Sequence, residues 1–251
     1  MNSQNIAYRI GIYAAITNIA GILLSGPLGL LVVSLVRPAP AWQTPALWAA
    51  GYHPVQTLPF YFGFLLLFSY IAIVVVAHRI AEEEHKTYTL IALVFTAAFV
   101  PLIFFNYISQ TTFLPALARN YRPEYDAIIA TFSLNNPNAL CWAIEMWGYA
   151  LLGIATIFAA PVFNRNRTER ITAWLMVING IVSLVGGFVT AVNLSWVLTV
   201  PGLVNYLLWN GLVLAMAIFF LLSLRRRLVE GAPEKQTIDR LAPSALPTSN
   251  P

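Results

Sequence analysis

Six long apolar stretches, at 10–36, 58–79, 88–110, 138–163, 171–193 and 202–224, alternate with short polar segments along the chain. A helix rises about 1.5 Å per residue, so some twenty residues cross a hydrocarbon core of about 30 Å. The apolar residues fill whole stretches instead of one stripe, which suits helices that meet lipid as well as each other. The pattern predicts an all-α, polytopic membrane protein built as a six-transmembrane-helix bundle.

The polar connections alternate in basic content. Arg9, then Arg79 and Lys86, then Arg165, Arg167 and Arg170, then Arg225, Arg226, Arg227, Lys235 and Arg240 make eleven of the fourteen Lys and Arg residues, all on one side. Arg37, Arg119 and Arg122 fall on the other side. Positive connections stay inside, so both termini are expected in the cytoplasm and the bundle in the cytoplasmic (plasma) membrane. Ala39, Pro40 and Ala41 imitate a signal cleavage site after the first apolar run. That run far exceeds an h-region of about 7–15 residues and a proline interrupts the site, so it is read as a retained span.

Composition sharpens the class. With 59% hydrophobic and 10% charged residues, the chain lacks the charge, roughly 25% in soluble domains, that a water-facing surface needs. The net charge of +4 sits at helix ends, where it anchors to headgroups, so nucleic acid is not an expected partner. The domain organisation expected is a single membrane domain over 1–228, then a disordered cytoplasmic tail over 229–251, rich in Pro and Ser.

Local signals refine the spans. Gly11, Ala15, Asn18, Gly21, Ser25 and Gly29 recur every three or four residues, a small-residue face that lets another helix approach. Pro27 should break the first span in its outer half. The second span is almost purely apolar and is expected to face lipid. The outer loop 37–57 carries Trp42, Trp48, Tyr52 and His53 and is expected against the membrane surface. A longer outer loop, 111–137, holds at 125–134 the pattern of a short interfacial helix. Asn136 and Pro137 read as the N-cap and first residue of the fourth span.

Glu145 is the single acidic residue inside any of these stretches. A charge at the bilayer centre costs at least ~2.5–3.5 kcal/mol on insertion scales, so such a residue turns to a bundle interior or a wet cavity. Asn138, Trp142, Glu145, Tyr149 and Thr156 share one face of the fourth span. Asn106 and Gln110 in the third span, Asn193 at the end of the fifth, and Asn205, Tyr206, Trp209 and Asn210 in the sixth lie at similar outer depth. The expectation is an outward-open ligand cavity. Glu145 would be its polar or proton-exchanging anchor, Asn106 and Asn210 its hydrogen-bond partners, and Trp142, Tyr149 and Trp209 its walls. Gln110, Asn193 and Asn205 complete the set. Asn179, Ser183, Gly186 and Thr190 read instead as interhelical glue, worth about 0.6 kcal/mol per bond. Gly21, Ser25, Gly29, Ser183 and Gly186 are assigned to helix packing.

Several chemistries lack their residues. Cys141 is the only cysteine, so no intrachain disulfide or cysteine metal site can form. No Gly-x-Ser-Gly nucleophile, no His-Glu-x-x-His motif and no lysine within a span is present, which excludes rhomboid-type proteolysis, intramembrane metalloproteolysis and a retinal Schiff base. His53, His78 and His85 do not share a membrane level, and Glu82 to His85 read as a solvated loop, so no metal or cofactor is expected. The function expected is binding or transport of a small, partly apolar molecule or a proton, without catalysis. The alternative is a scaffold or accessory subunit that packs a partner membrane protein, or a second copy, against the small residues of the first span.

Overall fold

The computed structural model describes residues 3–230, and these are mostly helical with no strand among them. The spanning helices are α1 (Ser3–Ser25) with its continuation α2 (Pro27–Val36), α4 (Leu58–Ile80), α5 (Lys86–Ile108), α8 (Leu140–Ala159), α9 (Arg167–Val192) and α10 (Val200–Glu230). Short helices α3 (Pro45–Gly51), α6 (Leu114–Arg119) and α7 (Asp126–Phe132) lie in the connections. Six segments are long and apolar enough to cross a membrane, so the chain is a multi-pass helical bundle. Each spanning helix packs on the next in sequence, and α10 closes the ring against α1. The long connections gather at one end, the loop end; the arginine-rich ones gather at the other, the basic end. Helix α10 runs to Glu230 and takes in positions 229 and 230 of the expected tail; the rest of that tail lies outside the described residues.

The break at Pro27 is present. Gly26 leaves helical geometry at φ −93°, ψ −112°, and Pro27 opens α2. Gly26 N still donates to Ile22 O and Leu30 N to Gly26 O, both at 3.0 Å, while Pro27 has no N–H to give, so the rod bends where its hydrogen-bond ladder is interrupted. Beneath the bend α1 lies close on α4: a Cβ on Gly21 would fall 2.8 Å from Leu66 N. Buried Asn18 donates to Leu66 O (3.2 Å) and Ser69 Oγ (2.9 Å). The second span is therefore lipid-facing on one side only, through Tyr61, Leu65, Phe68 and Val75. Its Leu66, Leu67, Tyr70, Ile73, Val74 and Ala77 are core residues, because Gly63 and Ser69 let α5 and α1 close on it from two sides.

Helix α5 does not stop at the predicted loop boundary. A π-helical turn, Ser109–Phe113, carries it into α6 as far as Arg119. Helix α7 falls inside the stretch 125–134 read as helical. Together α3, α6 and α7 build a second, smaller core at the loop end around Trp48, Ala49, Leu114 and Ile129. Trp48 turns into this cap, donating its indole N–H to Asn135 Oδ1 (3.1 Å), instead of spreading outward. Asn135→Ala strands that donor and should cost about 1 kcal/mol of stability, read as a lower melting point in thermal unfolding in detergent.

The fourth span starts later than Asn136 and Pro137 suggested. Residues 133–139 form successive turns and α8 begins at Leu140. Asn136 is held within those turns, its amide donating to Ala130 O (2.6 Å) and its Oδ1 accepting from Asn138 N (3.1 Å).

The basic end is locked by a buried ion pair. Arg227 Nε and Nη2 donate to the two oxygens of Glu169, each at 2.7 Å, and Nη2 also reaches Val162 O at 2.7 Å. Glu169 is fully buried and Arg227 nearly so. Asn166 caps α9 by accepting from Glu169 N (3.2 Å), and its amide donates to Glu169 Oε1 (3.4 Å). The guanidinium also lies 5.6 Å from the centre of the Phe163 ring. At the surface Arg165 pairs with Glu82 (2.9 Å).

Candidate ligand site around Glu145

Glu145 is the sixth residue of α8, roughly 8 Å along the axis from the helix start at the loop end. It is half-buried. Fully buried Asn106, near the loop end of α5, donates its amide to Glu145 Oε2 (2.5 Å) and to Cys141 O (3.3 Å). Gln110 sits in the π turn, where the extra residue per turn keeps its carboxamide directed into the bundle. Its amide donates to Asn106 Oδ1 (3.4 Å) and Phe132 O (2.8 Å), and its Oε1 accepts from Leu134 N (3.3 Å). Trp142 donates its indole N–H to Leu134 O (2.9 Å). The connection between α7 and α8 is thus tied down around the carboxylate through its own backbone.

An aromatic wall continues below. One turn after Glu145, Tyr149 shares a 2.9 Å hydrogen bond with the Tyr107 hydroxyl. Its ring meets Trp209 edge-on at 4.7 Å between centres. Trp209 donates its N–H to Ser183 Oγ on α9 (3.1 Å). Tyr206 of α10 is within electrostatic reach of Glu145. Asn210 donates to Tyr206 O (2.8 Å), and its Oδ1 would stand 2.8 Å from a Cβ on Gly26. Asn210 therefore lies against the α1 break. Toward the basic end the core holds a cavity of about 20 Å³ lined by Asn18, Tyr70, Met216 and Phe220 among others, room for a water.

Of the nine residues singled out as ligand-binding, Glu145, Asn106 and Gln110 are directly bonded to one another in series. Trp142 joins them through Leu134, Tyr149 and Trp209 form one wall, and Asn210, expected as a partner of Glu145, instead bonds Tyr206 O on the α1 side. Two do not belong. Asn193 is exposed at the C-terminus of α9 and bonds Ser195 (2.9 Å); half-buried Asn205 shares none of these hydrogen bonds among the described residues. Tyr107 was not singled out in the sequence, though its place one residue after Asn106 puts it on the neighbouring face of α5 and is the signal that could have found it.

The residues assigned to packing fall within the bundle, save where noted. Gly21 receives Leu66, Gly186 faces Met146, and Ser183 lies against Gly153. Gly29 packs beside Pro59, and Ser25 is half-buried at the bend. Asn179 donates to Thr156 Oγ1 (3.2 Å), whose own hydroxyl lies 3.0 Å from Met176 O. Ligand atoms of Glu82, Glu84 and His85 come within 4.8 Å of one another, but Glu82 is already held by Arg165 and exposed acidic groups cluster this way without an ion.

Comparisons with protein-family models, with curated proteins and with solved structures returned no match. Function rests on the geometry of the site.

Proposed function

We propose that this is a non-catalytic protein of the cytoplasmic membrane, both termini in the cytoplasm, that binds or moves a small, partly apolar molecule or a proton at an outward-facing site around Glu145. The observation that carries the reading is the carboxyl itself. It stands inside a spanning helix, one oxygen held by Asn106, and among the described residues no Lys, Arg or His pairs with it. Hydrogen-bonded glue does not call for a carboxyl there. The topology rests on the basic residues at one end of the bundle.

Exchanging Glu145 for Gln keeps the size of the side chain and an oxygen able to accept from Asn106. The variant should fold, with stability within roughly 1 kcal/mol of wild type. Melting of both purified proteins in detergent, across a small-molecule library and a pH series, is the test. A compound or pH step that shifts wild type and not Glu145→Gln supports the role. Identical, unresponsive melting of both, or a variant that cannot assemble, removes its centre.

The accessory-subunit reading has less behind it. The small residues of α1 are already occupied: Gly11 faces Leu224 and Val76, and Gly21 faces Leu66. A partner would have to use another face.

A further inference from the structure

Resting on the binding role proposed above, we infer that the ligand is a monovalent organic cation with an apolar body, a protonated or quaternary amine, which competes with a proton for the Glu145 carboxyl. The groups around Glu145 can be taken element by element. Helix α5 brings Asn106 and Tyr107; α8 brings Cys141 and Tyr149; α10 brings Tyr206; α9 brings Ser183, already occupied by Trp209. None of these carries positive charge, so the site has one acid and no counter-ion. Only a proton or a bound cation can neutralise it, and the two exclude each other.

The remaining polar groups argue against other ligands. The donors of Asn106 and Gln110 are spent on Glu145, Cys141, Asn106 itself and Phe132. The indole N–H groups of Trp142 and Trp209 are spent on Leu134 and Ser183, and the Tyr107 and Tyr149 hydroxyls on each other. A neutral polar molecule therefore finds few free partners, and an anion meets a carboxylate. What the half-buried Trp142, Tyr149, Tyr206 and Trp209 still offer is aromatic surface, and the faces of Trp and Tyr rings attract organic cations. A divalent metal would need several oxygen ligands, and a single carboxylate is present.

The test uses the full-length protein in detergent with benzyltrimethylammonium and its uncharged carbon isostere, neopentylbenzene. The cation should raise the melting temperature of wild type and leave Glu145→Gln unmoved, while the isostere does neither. Its dissociation constant in wild type should rise as pH falls, approaching about tenfold per pH unit where the proton holds the carboxyl, the linkage expected of two ligands for one group. Equal stabilisation by both compounds, or an affinity flat across pH, overturns the inference. If both compounds stabilise wild type but not the variant, the charge requirement falls and the binding role stands. If no compound and no pH step separates the two proteins, both fall. The charge and pH comparisons are read on wild type alone, so they decide even if the variant fails to fold.

Discussion

Arg227→Met should cost about 3–5 kcal/mol, enough to prevent recovery of a folded protein if its stability is of ordinary size. The substitution takes three charge-assisted hydrogen bonds from the basic end, two to Glu169 and one to Val162 O. It leaves a fully buried carboxylate with only the Arg165 backbone N–H (3.1 Å) and the Asn166 amide (3.4 Å) as donors. The large cost comes from that stranded charge and not from the net worth of the pair. Removing both charges in Glu169→Gln/Arg227→Met should therefore recover a substantial part of the loss, a coupling that a double-mutant cycle on chemical or thermal unfolding measures directly. Additive losses would show that the two side chains do not act as a pair.

Gly180→Val should be the next most damaging change, at the upper end of about 1–3 kcal/mol. Helices α8 and α9 meet through glycine on both sides. A Cβ at Gly180 would fall 2.6 Å from Gly153 O, and one at Gly153 would fall 2.9 Å from Gly180 O. Both obstacles are backbone, which cannot rotate away, so the helices must separate. Separation would also strain the Asn179–Thr156–Met176 relay beside the seam. The internal control is Gly211, where a Cβ meets nothing within 4 Å. Gly211→Ala should leave the melt unchanged or raise it, since alanine is better in a helix by about 1 kcal/mol. Similar losses at Gly180 and Gly211 would assign the effect to helix propensity and not to the seam.

Much of the site was readable in the sequence for a simple reason: lipid penalises polar side chains, so those that persist in a span draw attention. Glu145, Asn106 and Gln110 stood out this way and do meet. Depth alone could not say which side chains face one another across helices, so Asn193 and Asn205 were grouped with them although one caps α9 and the other joins no bond of the cluster. Tyr107 was missed because an aromatic residue in a span is unremarkable until a partner hydroxyl stands beside it. Arg227 looked like one of three arginines marking the end of a span. Its pairing with Glu169 depends on α9 and α10 being adjacent at that end, although Asn166 and Glu169 carry the spacing of a helix cap.

The sequence by itself determined the number of spanning helices, their approximate bounds and the break at Pro27, because hydrophobic length and proline geometry act locally along the chain. It also marked the one carboxyl that a membrane interior does not tolerate without cause. Only the tertiary structure decided that α4 turns one face into the core, that α10 closes the ring on α1, and that the loop helices gather into their own small core around Trp48. Only it joined Gln110 to the backbone of 132–134 and Arg227 to Glu169. These depend on which faces come together, and residues far apart in the chain acquire partners only when packing brings their helices side by side.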